Sequence, residues 1–86
     1  KTTLIMTLEI LTPEKKLYSG EASSVTLPGI DGKFQLLEKH APIISALGKG
    51  KVVYKSATGV NEIEISGGFA ECQNNKVIVL VEGAIA

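Results

Sequence analysis

The chain has no arginine, one cysteine, one histidine, few aromatic residues and no net charge, and each shortage removes a class of function. Nine lysines carry every positive charge and are matched by nine carboxylates. Without arginine there is no planar fork to clamp phosphate or carboxylate in two places at once. Without a basic excess there is no stripe to displace counterions, so nucleic acid is excluded as a partner. Nor does any polybasic segment address an anionic membrane surface. Cys72 alone forms neither an intrachain disulfide nor a thiolate cluster for zinc, which fits a reducing, intracellular setting. Apolar runs stop at about five residues, as in Val77-Ile78-Val79-Leu80-Val81, where a membrane helix needs roughly 20. The start, Lys1-Thr2-Thr3-Leu4-Ile5-Met6, lacks the long apolar region and small-residue cleavage site of a signal peptide. Residues 1–5 are expected to be a loose extension, with Met6 an alternative start.

What remains is an ordinary globular composition. Eighty-six residues, 44% hydrophobic and 21% charged, make one domain with one modest core. Glycine and proline are dense and evenly spaced, at Pro13, Gly20, Pro28-Gly29, Gly32, Pro42, Gly48, Gly50, Gly59, Gly67-Gly68 and Gly83. The stretches between them suit strands and are too short for a series of helices. Glu62-Ile63-Glu64-Ile65 alternates most clearly, and Thr7–Leu11, Ser23–Leu27 and Lys33–Leu36 do the same. Lys51–Lys55 is rich in β-branched and aromatic residues, while Lys76–Val81 is apolar at almost every position, so both of its faces should be covered. Asn74-Asn75 has the chemistry of a two-residue hairpin turn, and residues 57–61 read as a longer hairpin loop. Only Ala41–Leu47 passes for helix, and Pro42 and Gly48 leave it about one turn. The expected fold is all-β, roughly seven to ten short antiparallel strands closing as a flattened sandwich or barrel.

Few residues offer chemistry. His40 would serve as a general base or pair with Cys72, yet no third residue orients such a pair. Cys72 shares a strand face with Ala70 and reads as a small buried hydrophobe. The glycine-containing segments 28–32 and 48–51 lack the phosphate-loop pattern and lead into no helix, so they read as turns. One histidine, one cysteine and scattered acids make no metal shell. Neither a metal nor a cofactor is expected.

Three stretches in register carry a resemblance. Leu17-Tyr18-Ser19-Gly20 precedes Val25-Thr26-Leu27-Pro28-Gly29, then Gly32-Lys33-Phe34 and His40-Ala41-Pro42-Ile43-Ile44. Downstream stand Ile65-Ser66-Gly67-Gly68-Phe69-Ala70-Glu71-Cys72 and Asn75-Lys76-Val77-Ile78-Val79-Leu80. Over about residues 7–83 the order and spacing resemble the amino-terminal domain of the epsilon subunit of F-type ATP synthase. The resemblance implies a β-sandwich of about ten strands, a rotor part of the central stalk that docks on gamma and rests on the c-ring. It implies torque coupling without a reaction of its own, in a peripheral protein at the cytoplasmic face of the bacterial inner membrane. Positions matching the gamma-facing segments are Thr12, Tyr18, Ala41, Pro42, Ile43, Ile44 and Ser45. Ile43 and Ile44 either anchor the partner or roof the sandwich's own core. Positions matching the c-ring contacts are Asp31, Gly32, Lys33, Phe34 and His40; Lys33 stands where the family often has an acid, and Asp31 would supply the negative charge. Family members often continue into a helical hairpin that restrains ATP hydrolysis. This sequence ends where that hairpin would begin, so it is expected to lack the brake and its nucleotide site, as a naturally short or a truncated chain. The alternatives are a small β carrier or interaction domain of the biotinyl or lipoyl type, whose displayed lysine has no counterpart here, and a minimal Cys/His hydrolase.

Overall fold

A computed structural model of the chain describes residues 6–37 and 41–83. Among them the backbone forms nine strands: β1 (Met6–Leu11), β2 (Lys16–Ala22), β3 (Ser24–Gly29), β4 (Gly32–Leu37), β5 (Ile43–Leu47), β6 (Gly50–Ser56), β7 (Gly59–Ile65), β8 (Gly67–Gln73) and β9 (Lys76–Glu82). They follow the hydrogen-bonded order β2-β1-β9-β8-β5-β3-β6-β7, with β4 paired to β3. The path turns over at β5 and β3, which share only the bridge between Gly29 and Leu47. Two bonds reinforce that corner, from the Ile30 N–H to the Ala46 carbonyl (3.2 Å) and from the Gly48 N–H to the Pro28 carbonyl (2.7 Å). The result is a curled sandwich with a first layer β2-β1-β9-β8-β5 and a second layer β4-β3-β6-β7.

The expected all-β sandwich is what forms, with three local differences. β1 and β9 are parallel, pairing Leu8 with Val77 and Ile10 with Val79, whereas antiparallel strands were expected throughout. A parallel pair needs a long crossover, and the intervening chain supplies it, setting the first and last strands side by side. Ala41–Leu47 contributes β5 in place of a helical turn, because its apolar residues pair with β8 from Ile43↔Cys72 to Leu47↔Gly68. The β6–β7 loop is shorter than read from sequence: pairing runs to Ser56↔Gly59, leaving only Ala57 and Thr58 unpaired. At the β8–β9 turn Asn74 and Asn75 do adopt positive φ, at 53° and 60°, as a primed two-residue turn demands.

Inward residues of both layers make one core, in which Leu8, Ile10, Val25, Leu27, Leu36, Val52, Val77 and Val79 are fully buried. Each such side chain contributes about 1.5–3 kcal/mol relative to exposure. Two of the motifs have packing explanations. Gly68, at φ +148°, passes so close to β9 that a Cβ would collide with the Leu80 carbonyl. Gly20 leaves room for the Tyr18 ring, since a Cβ there would stand 2.9 Å from the phenol oxygen. That phenol donates to the Glu21 carbonyl at 2.8 Å, and the ring meets Tyr54 of the opposite layer with centroids 4.5 Å apart.

Candidate functional site

Strand alternation sends every second residue of the first layer to its outer face. The registers align these residues into rows. Glu9 lies beside Ile78, Ile78 beside Glu71, and Glu71 beside Ile44. In the next row Leu11 adjoins Leu80, Leu80 adjoins Phe69, and Phe69 adjoins Ala46. Six apolar side chains from four strands thus form a contiguous stripe, and three are substantially open to solvent: Ile44 (76% exposed), Phe69 (59%) and Leu80 (50%). A shallow groove crosses it, lined by Ile44, Phe69, Ala70, Glu71, Ile78 and Leu80. Contiguous exposed apolar surface of this kind marks a contact site. The double-sided apolar pattern of β9 is the sequence signal for it: Val77, Val79 and Val81 are buried, but the chain itself leaves Leu80 uncovered.

Of the residues expected to face gamma, Ile44 lies on this stripe, and Ala41 and Pro42 are exposed just before β5. Ile43 packs against the core, the second of the two roles considered for the isoleucines, whereas Ile44 is open to solvent. Ser45 alternates inward with Ile43. Tyr18 is engaged by Tyr54 and the Glu21 carbonyl. The Thr12 hydroxyl organises the β1–β2 turn, accepting from the Glu14 and Lys15 N–H groups at 3.2 and 3.0 Å and donating to the Lys15 carbonyl at 3.1 Å. Both side chains thus have a role in the fold.

Residues expected at the c-ring gather on the β3–β4 hairpin, where Gly29↔Gly32 closes a loop of Ile30 and Asp31. Asp31, Gly32 and Lys33 are exposed, while Phe34 packs inward against the core. Ile30 at the tip is 66% exposed and was not singled out from sequence. His40 lies outside the described residues, so its pairing with Cys72 has no geometry to judge. Cys72 itself is buried, and burial pushes its thiol above the ordinary value, disfavouring the thiolate a nucleophile needs. Among the described residues no group of three or more His, Cys, Asp or Glu side chains is placed to hold a metal. No described helix is long and apolar enough to cross a membrane.

Fold and stripe together define a β-sandwich contact module. The profile of the ATP synthase delta/epsilon chain β-sandwich domain matches residues 5–86, and the chain belongs to that family. It is 47% identical over 77 residues to the ATP synthase epsilon chain of Maridesulfovibrio salexigens, covering 90% of this chain and 54% of that one. To the ATP synthase epsilon chain of Chlorobium limicola it is 46% identical over 76 residues, covering 87% of this chain and 86% of that one. The chain thus spans about half of the first relative and most of the second. A chain in the cryo-EM structure of the Euglena gracilis mitochondrial ATP synthase OSCP/F1/c-ring assembly has the same fold. The two superpose with a TM-score of 0.89 at 18% identity, over 99% of this chain and 55% of that one.

Proposed function

We propose that this chain is a non-catalytic central-stalk subunit of F-type ATP synthase, joining gamma to the c-ring. The carrying observation is the apolar stripe of exposed Ile44, Phe69 and Leu80 around half-buried Ile78 on a member of the delta/epsilon family. Transmitting torque requires a stiff body with two contact surfaces. A densely packed sandwich supplies stiffness, because its layers cannot slide without unpacking the shared core. The stripe supplies the gamma surface. The exposed β3–β4 tip, with Ile30, Asp31, Gly32 and Lys33, supplies the c-ring surface. Attachment to the cytoplasmic face of the bacterial inner membrane is then indirect, through the complex.

Calorimetric titration of purified gamma into the chain tests this reading. Saturable one-to-one binding that weakens strongly in Phe69→Ser supports it, and absence of binding by the wild-type chain overturns it. A biotinyl- or lipoyl-type carrier would instead reveal itself by a prosthetic group in the intact mass.

A further inference from the structure

The stripe carries a charge pattern as well as an apolar one. Glu9 and Glu71 flank Ile78 from the two neighbouring strands, in the same cross-strand row. Two strand spacings separate their backbones, about 10 Å. The one ion pair among the described residues, Lys51 to Glu62, lies on the opposite layer at 3.3 Å, so neither Glu9 nor Glu71 has an ion-pair partner among the described residues. Lys76 is the other charged residue of β9 before Glu82 and stands in the adjacent row, opposite Gln73 and Thr7. Two unpaired carboxylates inside an apolar stripe would be desolvated by whatever covers it, at a cost that only a compensating charge removes. The same carboxylates repel nucleic acid and anionic lipid headgroups, which leaves a protein surface as the occupant.

We infer that the partner surface covering this face is apolar at its centre and places two lysine or arginine side chains about 10 Å apart, one on Glu9 and one on Glu71. The apolar contacts hold the complex and the paired charges fix its register, as complementary charges do at interfaces. This rests on gamma being the partner, and the test separates the two claims.

Gamma is titrated into the wild-type chain and into Glu9→Gln, Glu71→Gln and the double Glu9→Lys/Glu71→Lys variant, at low and high salt. Each single neutralisation should weaken binding by about fivefold to tenfold, and the double reversal by about a hundredfold at low salt. The wild-type affinity should fall with salt, and a double Glu9→Gln/Glu71→Gln variant, titrated alongside, should lose most of that dependence. Glu71 is exposed and Glu9 half-buried, both on the outer face and outside the core, so unchanged thermal unfolding is expected in each variant. If the carboxylate variants bind like wild type with the same salt dependence while Phe69→Ser still loses affinity, the charge pairing is wrong and gamma docking stands. Failure of wild-type chain to bind gamma would remove both claims. Wild-type binding to phosphatidylserine vesicles, lost in Phe69→Ser, would overturn the choice of a basic protein surface.

Discussion

The outer faces of the two layers follow the same alternation and differ in what they present. On the first layer Leu11, Ala46, Ile44, Phe69, Ile78 and Leu80 adjoin one another across four strands. On the second, Thr26, Gln35, Lys51, Lys55, Glu62 and Glu64 dominate, Lys51 reaches Glu62, and the apolar residues Leu37, Val53 and Val60 each stand directly opposite polar partners: Ser24, Thr26 with Glu62, and Lys55. Phe69 and Val60 are almost equally exposed, at 59% and 60%. Exposure of a single apolar side chain therefore does not mark a contact site; contiguity across the register does. One sandwich thus has a largely polar outer face and an outer face with a contiguous apolar stripe, the one proposed above to dock, set by which outward positions are polar.

The largest effect should come from breaking what both faces share. Leu8→Ala opens a cavity in the common core and should cost about 2–5 kcal/mol of stability. Gly68→Ala, forced against the Leu80 carbonyl, should cost about 3 kcal/mol or more, by strain of the β8–β9 ladder beneath the stripe. Denaturant unfolding measures both, and near-wild-type midpoints would show that the layers are held otherwise. Next in size is a stripe-specific change. Ile44→Asp should leave unfolding within about 0.5 kcal/mol of wild type and cost about 2 kcal/mol in gamma affinity. Equal losses of stability and affinity would make Ile44 a structural residue.

A smaller effect concerns the clamp between layers. Burial, and secondly the neighbouring Tyr18, raise the Tyr54 phenol above its ordinary value, and burial raises the Cys72 thiol. Both hold their protons more tightly folded than unfolded. Their contribution is complete below the unfolded values and is lost as pH rises through the folded ones, for Tyr54 beginning near about pH 10. Melting temperatures should fall across that alkaline range, and less steeply in Tyr54→Phe; identical slopes would remove Tyr54 from the account. Smallest of all, Lys51→Ala should change stability by less than about 0.5 kcal/mol and leave gamma affinity untouched, as an exposed pair on the solvent face.

The fold was largely legible because strong alternation and turn chemistry coincide. Ile63 and Ile65 against Glu62 and Glu64, and the Asn74-Asn75 turn, behave as their sequence dictates. β2 was harder to read, since it is an edge strand interrupted by Ser19 and Gly20, and Gly20 is there to admit the Tyr18 ring. β5 was obscured because a short apolar run such as Ile43-Ile44-Ser45-Ala46-Leu47 has no decisive period. The docking face was only half visible. Ile43 and Ile44 stood out together beside Pro42 and only the strand's alternation separates them, while Phe69 and Leu80 acquire meaning from registers that place β8 between β9 and β5. Thr12 and Tyr18, expected at an interface, also satisfy the turn and the layer contact, roles that their sequence positions do not show.

The central claim is that contiguity, rather than exposure, makes the first layer the docking face. Gamma affinity measured side by side for Phe69→Ser and Val60→Ser tests it most directly. The account predicts about a thirtyfold or greater loss for Phe69→Ser and less than about a twofold change for Val60→Ser, with both chains folded. Equal losses, or a loss confined to Val60→Ser, would contradict it.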